Sequence, residues 1–247
     1  MSRAAAAKPT VPASTTIAAP FFEIGPKNLL RLPQVVELAI AAGDAGVRHG
    51  VSVILTVPTA MIAPVQSAAP HVFVFAQGMD LDRPGASVGR TIPEALADAG
   101  ARGVMLNHDS NPLAPEDLAP AIGRAQENGL MTMVCAGSDD EVRSLLPLGP
   151  TIVLYEPPAL IGVAGGGDRP WIGAIDREAA ATAPDVLMMH AGGVSQPDDA
   201  YRIMGAGAHG TGSTSGVVRH DRPLEAAERF IEATRRGYES ARSQKTA

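Results

Sequence analysis

Apolar residues recur along this chain in short unbroken runs rather than in strict alternation. The runs are FFEIGPK at 21–27, VSVILTV at 51–57, HVFVFAQ at 71–77 and RGVMLN at 102–107, then LMTMVCA at 130–136, TIVLYE at 151–156, DVLMMHA at 185–191 and GAHGTGS at 207–213. Continuous apolar runs suit strands buried on both faces, as in parallel sheets. Between them the apolar spacing changes to three and four. LPQVVELAIAAGDAG and APEDLAPAIGRAQENG show this best, each closing near a glycine that suits a helix C-terminus, and PLEAAERFIEATRRGYES has Pro223 near its start. Eight strands, each followed by a helix, satisfy the crossovers that parallel strands need. Eight β/α units in about 220 residues predict a single-domain α/β fold, a closed (β/α)8 barrel rather than an open sheet.

Two units are irregular. After FAQ a Gly-rich loop delays the helix to about Thr91, and after Glu156 the loop PPALIGVAGGGDRP is long. Loops of that length in a compact domain are usually functional. The expected organisation is a flexible N-terminal arm at 1–19, the barrel at 20–240 and a frayed tail at 241–247. The arm, MSRAAAAKPTVPASTTIAAP, has no apolar run beyond four alanines. It therefore lacks the core of a secretion signal, which needs about 7 to 15 apolar residues.

Apolar residues make up 45% of the chain and aromatic ones 4%, which points to a core of Val, Ile, Leu, Ala and Met. A net charge of −6 offers no basic patch for nucleic acid, so an anionic substrate must be bound locally. The one cysteine, Cys135, excludes an internal disulfide and fits a reducing, cytoplasmic setting. No apolar run approaches the roughly 18 residues that would cross a membrane.

A barrel of this kind forms its active site at the C-terminal ends of the strands. Those ends offer Lys27, then Gln77 with Asp80, Asn107 with His108, Cys135, Glu156, His190, and His209 with Ser213 and Ser215. Most have a plain reading too. A lone strand-end lysine is usually solvated, His190 and His209 suit hydrogen-bonded packing, and Cys135 packs as a small apolar residue. Glu156 stands apart, between the apolar TIVLY and two prolines. Burial there would raise its pKa toward that of a general base. GVAGGGD, AGGVS and GTGSTSG follow the last three strands, and glycines let main-chain amides approach an anion. Together they predict a phosphate site.

These residues resemble the triosephosphate isomerase family, especially its shorter archaeal-type branch. FAQGMD with PGASVGRTIPEALADAGARGVMLNHDSN is similar to the family's third loop, fourth strand and histidine segment, and YEPPALIG to its glutamate and mobile sixth loop. The resemblance spans most of residues 20 to 235. It implies Glu156 as the base that moves a proton between adjacent carbons and His108 as a neutral electrophile. Lys27 would steady the enediolate, and Gly162, Gly192, Gly193, Ser215 and Gly216 would hold the phosphate. It implies no metal or other cofactor, and a homo-oligomer, either dimer or tetramer.

The chain departs from the family pattern in several places. Gly25 stands where the family has Asn two residues before the lysine, and Asp109 and Ser110 replace Ser-Glu after the histidine. Asp109 would favour the imidazolium over the neutral ring. Val88 replaces a threonine at a family subunit contact. A substrate one carbon longer, a tetrose phosphate, would fit such changes as well as a triose phosphate. Two other readings are a metal-dependent barrel aldolase or epimerase, using His108, Glu156, His190 and His209, and a non-catalytic phosphosugar-binding relative.

Overall fold

The computed structural model describes residues 16–165, 167 and 169–246. The arm before Thr16 lies outside them. Eight parallel strands close into a barrel in chain order. They are β1 Phe21–Ile24, β2 Ser52–Val57, β3 Val72–Ala76, β4 Gly103–Leu106, β5 Met131–Ala136, β6 Ile152–Tyr155, β7 Leu187–His190 and β8 Gly210–Gly212. Each lies within a run expected to be a strand. The helices are α1 Leu32–His49, α2 Ile62–Ala68, α3 Pro93–Asp98, α4 Pro115–Glu127, α5 Asp139–Leu145, α6 Ile172–Thr182, α7 Pro197–Gly205, α8 Ser215–Val218 and α9 Pro223–Thr246.

The strands are mostly apolar because they bury both faces. Phe21, Ile54, Phe73, Phe75, Met105, Met133, Ile152, Leu154 and Met189 fill the barrel interior. Neighbouring positions such as Phe22, Ile24, Leu55, Val74 and Met188 turn outward to the helices. Large rings inside need small partners beside them on the neighbouring strand. A Cβ on Gly210 would stand 2.3 Å from the Phe21 ring, and one on Gly103 2.4 Å from the Phe75 ring.

Ile17, expected in the flexible arm, is 8% exposed and packs with Phe21 and the interior cluster. The stretch expected to fray after residue 240 continues α9 to Thr246. Phe230 of that helix stacks on Phe22 at 5.6 Å between ring centroids. β8 is followed by a single turn, α8, before α9 begins, so the last unit carries two helices rather than one.

Candidate active site

Three polar residues expected at the mouth stand there together. Glu156 directly follows β6, and its amide donates to Ala136 O at 2.9 Å, extending the sheet pattern by one bond. Pro157 and Pro158 then turn the chain into a short 3-10 turn, Pro158–Leu160. The carboxyl is largely desolvated, and burial raises its pKa above the usual carboxylate range. Lys27, Arg169 and the Gly192 amide oppose that rise, while Asp109 adds to it. Lys27 lies three residues beyond β1 with φ +49°, and its carbonyl accepts a bond from Gln77 Nε2 at 3.0 Å. Its ammonium is near enough to act on both Glu156 and His108.

His108 is set by the turn that precedes it. Asn107 has φ +57°, and its side chain donates to Cys135 O at 3.0 Å while accepting from Leu113 N at 3.1 Å. Asn107 is thus a clamp for the loop rather than a ligand group. The loop closes with Asn111 N donating to His108 O at 2.7 Å. Ser110 N donates to His108 Nδ1 at 3.0 Å. An amide can only donate, so Nδ1 carries no proton there and the neutral ring holds its proton on Nε2. The pKa of His108 is lowered, first by burial and then by Lys27, with Asp109 pulling the other way. Asp109 acts in the direction expected from the sequence, but burial and Lys27 outweigh it.

The loops after the last three strands meet over this group. Gly162 opens the long sixth loop with φ +77°, and Gly192 and Gly193 follow β7 with φ +81° and +67°. Gly165 N donates to Gly193 O and to Ser195 Oγ, both at 3.1 Å. Arg169, near the other end of the loop, donates to Ala191 O and Gly192 O. The sixth loop is therefore held to the β7 loop at its middle, through Gly165, and near its far end, through Arg169. Ser215 begins α8 and is exposed, while the Gly216 amide donates to Ser213 Oγ at 3.2 Å. Ser213 in turn donates to Val194 O at 2.6 Å, which ties the β7 and β8 loops together.

Other strand-end residues fall elsewhere. His190 points outward from β7, is 1% exposed and bonds Asp176 Oδ1 of α6 at 2.7 Å. His209 precedes β8 at the opposite end of the barrel, where its Nδ1 accepts from Met188 N at 3.0 Å. Asp80 accepts from Thr91 N at 2.6 Å and shapes the third loop. Cys135 packs inside the barrel. The four residues of a possible metal site thus split between three places. Among the described residues no three of His, Cys, Asp and Glu are grouped to hold a metal ion.

One further titratable group at the site lies within a strand rather than at its end. Glu23, inside β1, is 6% exposed and lies in the barrel just below Glu156 and Lys27. Burial pushes its pKa up to about 7, with Glu156 adding to the rise and Thr56 and Lys27 opposing it. The available signal was a lone carboxylate two positions from Phe21, on the same inward face of an otherwise apolar strand.

Residues 31–210 match the model of the triosephosphate isomerase family. The chain is 33% identical over 185 residues to the triosephosphate isomerase of Sulfurisphaera tokodaii, covering 74% of this chain and 80% of that one. It is 28% identical to that of Metallosphaera sedula, covering 83% and 90% respectively. The crystal structure of triosephosphate isomerase from Bartonella henselae superposes with a TM-score of 0.69 at 18% identity, over 88% of this chain and 99% of that one, a likeness of fold. The closed barrel, the glutamate and histidine that both face Lys27 at its mouth and these matches together make the chain a member of the triosephosphate isomerase family.

Proposed function

We propose that this protein interconverts the aldose and ketose forms of a small phosphorylated sugar by proton transfer through an enediolate. The observation that carries the reading is the convergence of Glu156, His108 and Lys27 on one mouth, with a neutral Nε2–H tautomer at His108. Glu156, its basicity raised by burial, removes a proton from the carbon beside the carbonyl and returns it to the neighbouring carbon. The His108 Nε2–H polarises the carbonyl oxygen, and Lys27 offsets the negative charge that develops there. Gly162, Gly192, Gly193, Ser215 and Gly216 receive the phosphate. For Gly216 this requires its amide to exchange Ser213 Oγ for a phosphate oxygen. The sixth loop closes over the substrate and excludes water.

The reading extends to the assembly and setting of the protein. The third loop, residues 77–92, carries Val88 at 95% exposure and is the surface through which we expect copies to pair as a homo-oligomer, dimer or tetramer. No helix among the described residues is long and apolar enough to cross a membrane. A phosphorylated metabolite as substrate supports a cytoplasmic setting.

Proton NMR in D2O tests the reading, with dihydroxyacetone phosphate and with D- and L-erythrulose phosphates as separate substrates. Wild-type protein should exchange the proton beside the carbonyl, and Glu156→Gln should slow that exchange by several orders of magnitude. The fastest substrate decides between triose and tetrose. No exchange with any of them would overturn the isomerase reading.

A further inference from the structure

Glu23 is a buried carboxyl that the mechanism above does not use. It sits one layer below the strand ends, paired in register with Ile54 on β2 and Gly212 on β8. Two glycines make its room. A Cβ on Gly25 would stand 3.0 Å from Glu23 Oε1, and a Cβ on Gly212 3.0 Å from Oε2. Gly25 carries no side chain at the strand end, and the Glu23 carboxyl occupies the space beneath it. Oε1 is buried and has no hydrogen-bond partner among the described residues. A buried carboxyl with an unpaired oxygen costs stability unless something binds it.

We propose that Glu23 is the floor of the substrate site and acts as a neutral acid, donating a hydrogen bond to the substrate oxygen on which charge develops during enolisation. The inference rests on the isomerase reading. Only the protonated carboxyl has a donor, and the surroundings favour that form. The charged or titratable groups that face it are Glu156 just after β6, Cys135 from β5 and Lys27 beyond its own strand end; the Thr56 hydroxyl of β2 also faces it and, like Lys27, favours the ionised form, but burial outweighs both. One ammonium cannot offset two neighbouring carboxylates and an arriving phosphate, so one carboxyl keeps its proton. Glu156 must be ionised to act as a base, which leaves the proton on Glu23. A carboxylic acid held neutral by its site is a known form of oxyanion donor.

The test is the pH profile of kcat/KM for exchange with the best substrate, for wild type, Glu23→Gln and Glu23→Leu. An amide donates at every pH. Wild type should therefore lose activity by about tenfold per pH unit once Glu23 ionises, and Glu23→Gln should lack that alkaline fall. Glu23→Leu, with no donor, should be slower by about a hundredfold throughout. Carboxyl 13C NMR of labelled wild type adds a readout that needs no turnover: a phosphorylated hydroxamate, which mimics the enediolate, should shift the Glu23 signal. An unchanged alkaline limb in Glu23→Gln, or a Glu23 signal that ignores the hydroxamate, would overturn the proposal while leaving the isomerase standing. Absence of exchange in wild type would remove both.

Discussion

The Glu156 carboxyl packs against the main chain of Gly192. A Cβ at Gly192 would stand 3.1 Å from Glu156 Cγ and 3.5 Å from Oε1, with Leu160 at 3.0 Å on its other side. The proposed base and the proposed phosphate loop therefore set each other's position. Gly192 also has φ +81°, a conformation that side chains resist. Gly192→Ala should cost about 1–3 kcal/mol of stability through backbone strain. It should also lower kcat/KM by about a hundredfold by displacing the base on the ångström scale. Exchange rates together with urea denaturation would separate the two effects, and a stability loss with full activity would refute the coupling.

Asp109 and Lys27 act in opposite directions on His108. Asp109→Asn should lower the His108 pKa further, and Lys27→Met should raise it. Imidazole NMR titrations of the two variants would show opposite displacements from wild type. If neither moved, burial alone would be setting the ring's charge.

Glu23 makes folding pH-dependent. Its pKa is raised from 4.5 to about 7, so below pH 4.5 both folded and unfolded states hold the proton and nothing is lost. Between pH 4.5 and 7 the unfolded chain ionises while the folded one does not, and stability falls by about 3 kcal/mol before levelling off. Glu23→Gln removes that dependence. The stability of the variant relative to wild type should therefore grow in its favour from pH 5 to pH 8, measured by denaturation at each. An equal difference at the two pH values would place the Glu23 pKa near its ordinary value.

The barrel interior has no slack around Phe21. Gly210→Ala would push a methyl to 2.3 Å from that ring, with the rest of β8 held by its neighbours. Overpacking of this kind costs about 1–3 kcal/mol or more. Gly210→Ala with Phe21→Leu should recover part of the loss, which a double-mutant cycle in urea would reveal.

The eight strands could be read from the sequence because burial on both faces leaves few polar residues, mostly small hydroxyls, in runs such as VSVILTV or TIVLY. Glu156 and His108 were also visible, since each is the first strongly polar group after such a run. What the runs conceal is which way a strand-end residue faces. His190 follows Met189 by one position and so points to α6 rather than into the barrel. His209 looked like the end of a strand, but β8 begins only at the next residue. Glu23 is concealed for the opposite reason, as one charge within an otherwise apolar strand. The internal bond between Gly216 and Ser213 depends on loop geometry that spacing cannot encode.

Closure of the sheet joins Phe21 and Phe22 to Gly210 and Thr211, residues from opposite ends of the described chain. A ribosome makes β1 first and β8 last, so the edge of β1 that will pair with β8 stays open while nearly all of the protein is synthesised. Glu23 lies on that same strand, and the glycine that shapes its chamber, Gly212, arrives with the final strand. The floor of the proposed site is therefore completed only once β8 has been made, and a nascent chain stalled before β8 would possess His108 and Glu156 yet have no finished place for a substrate to rest.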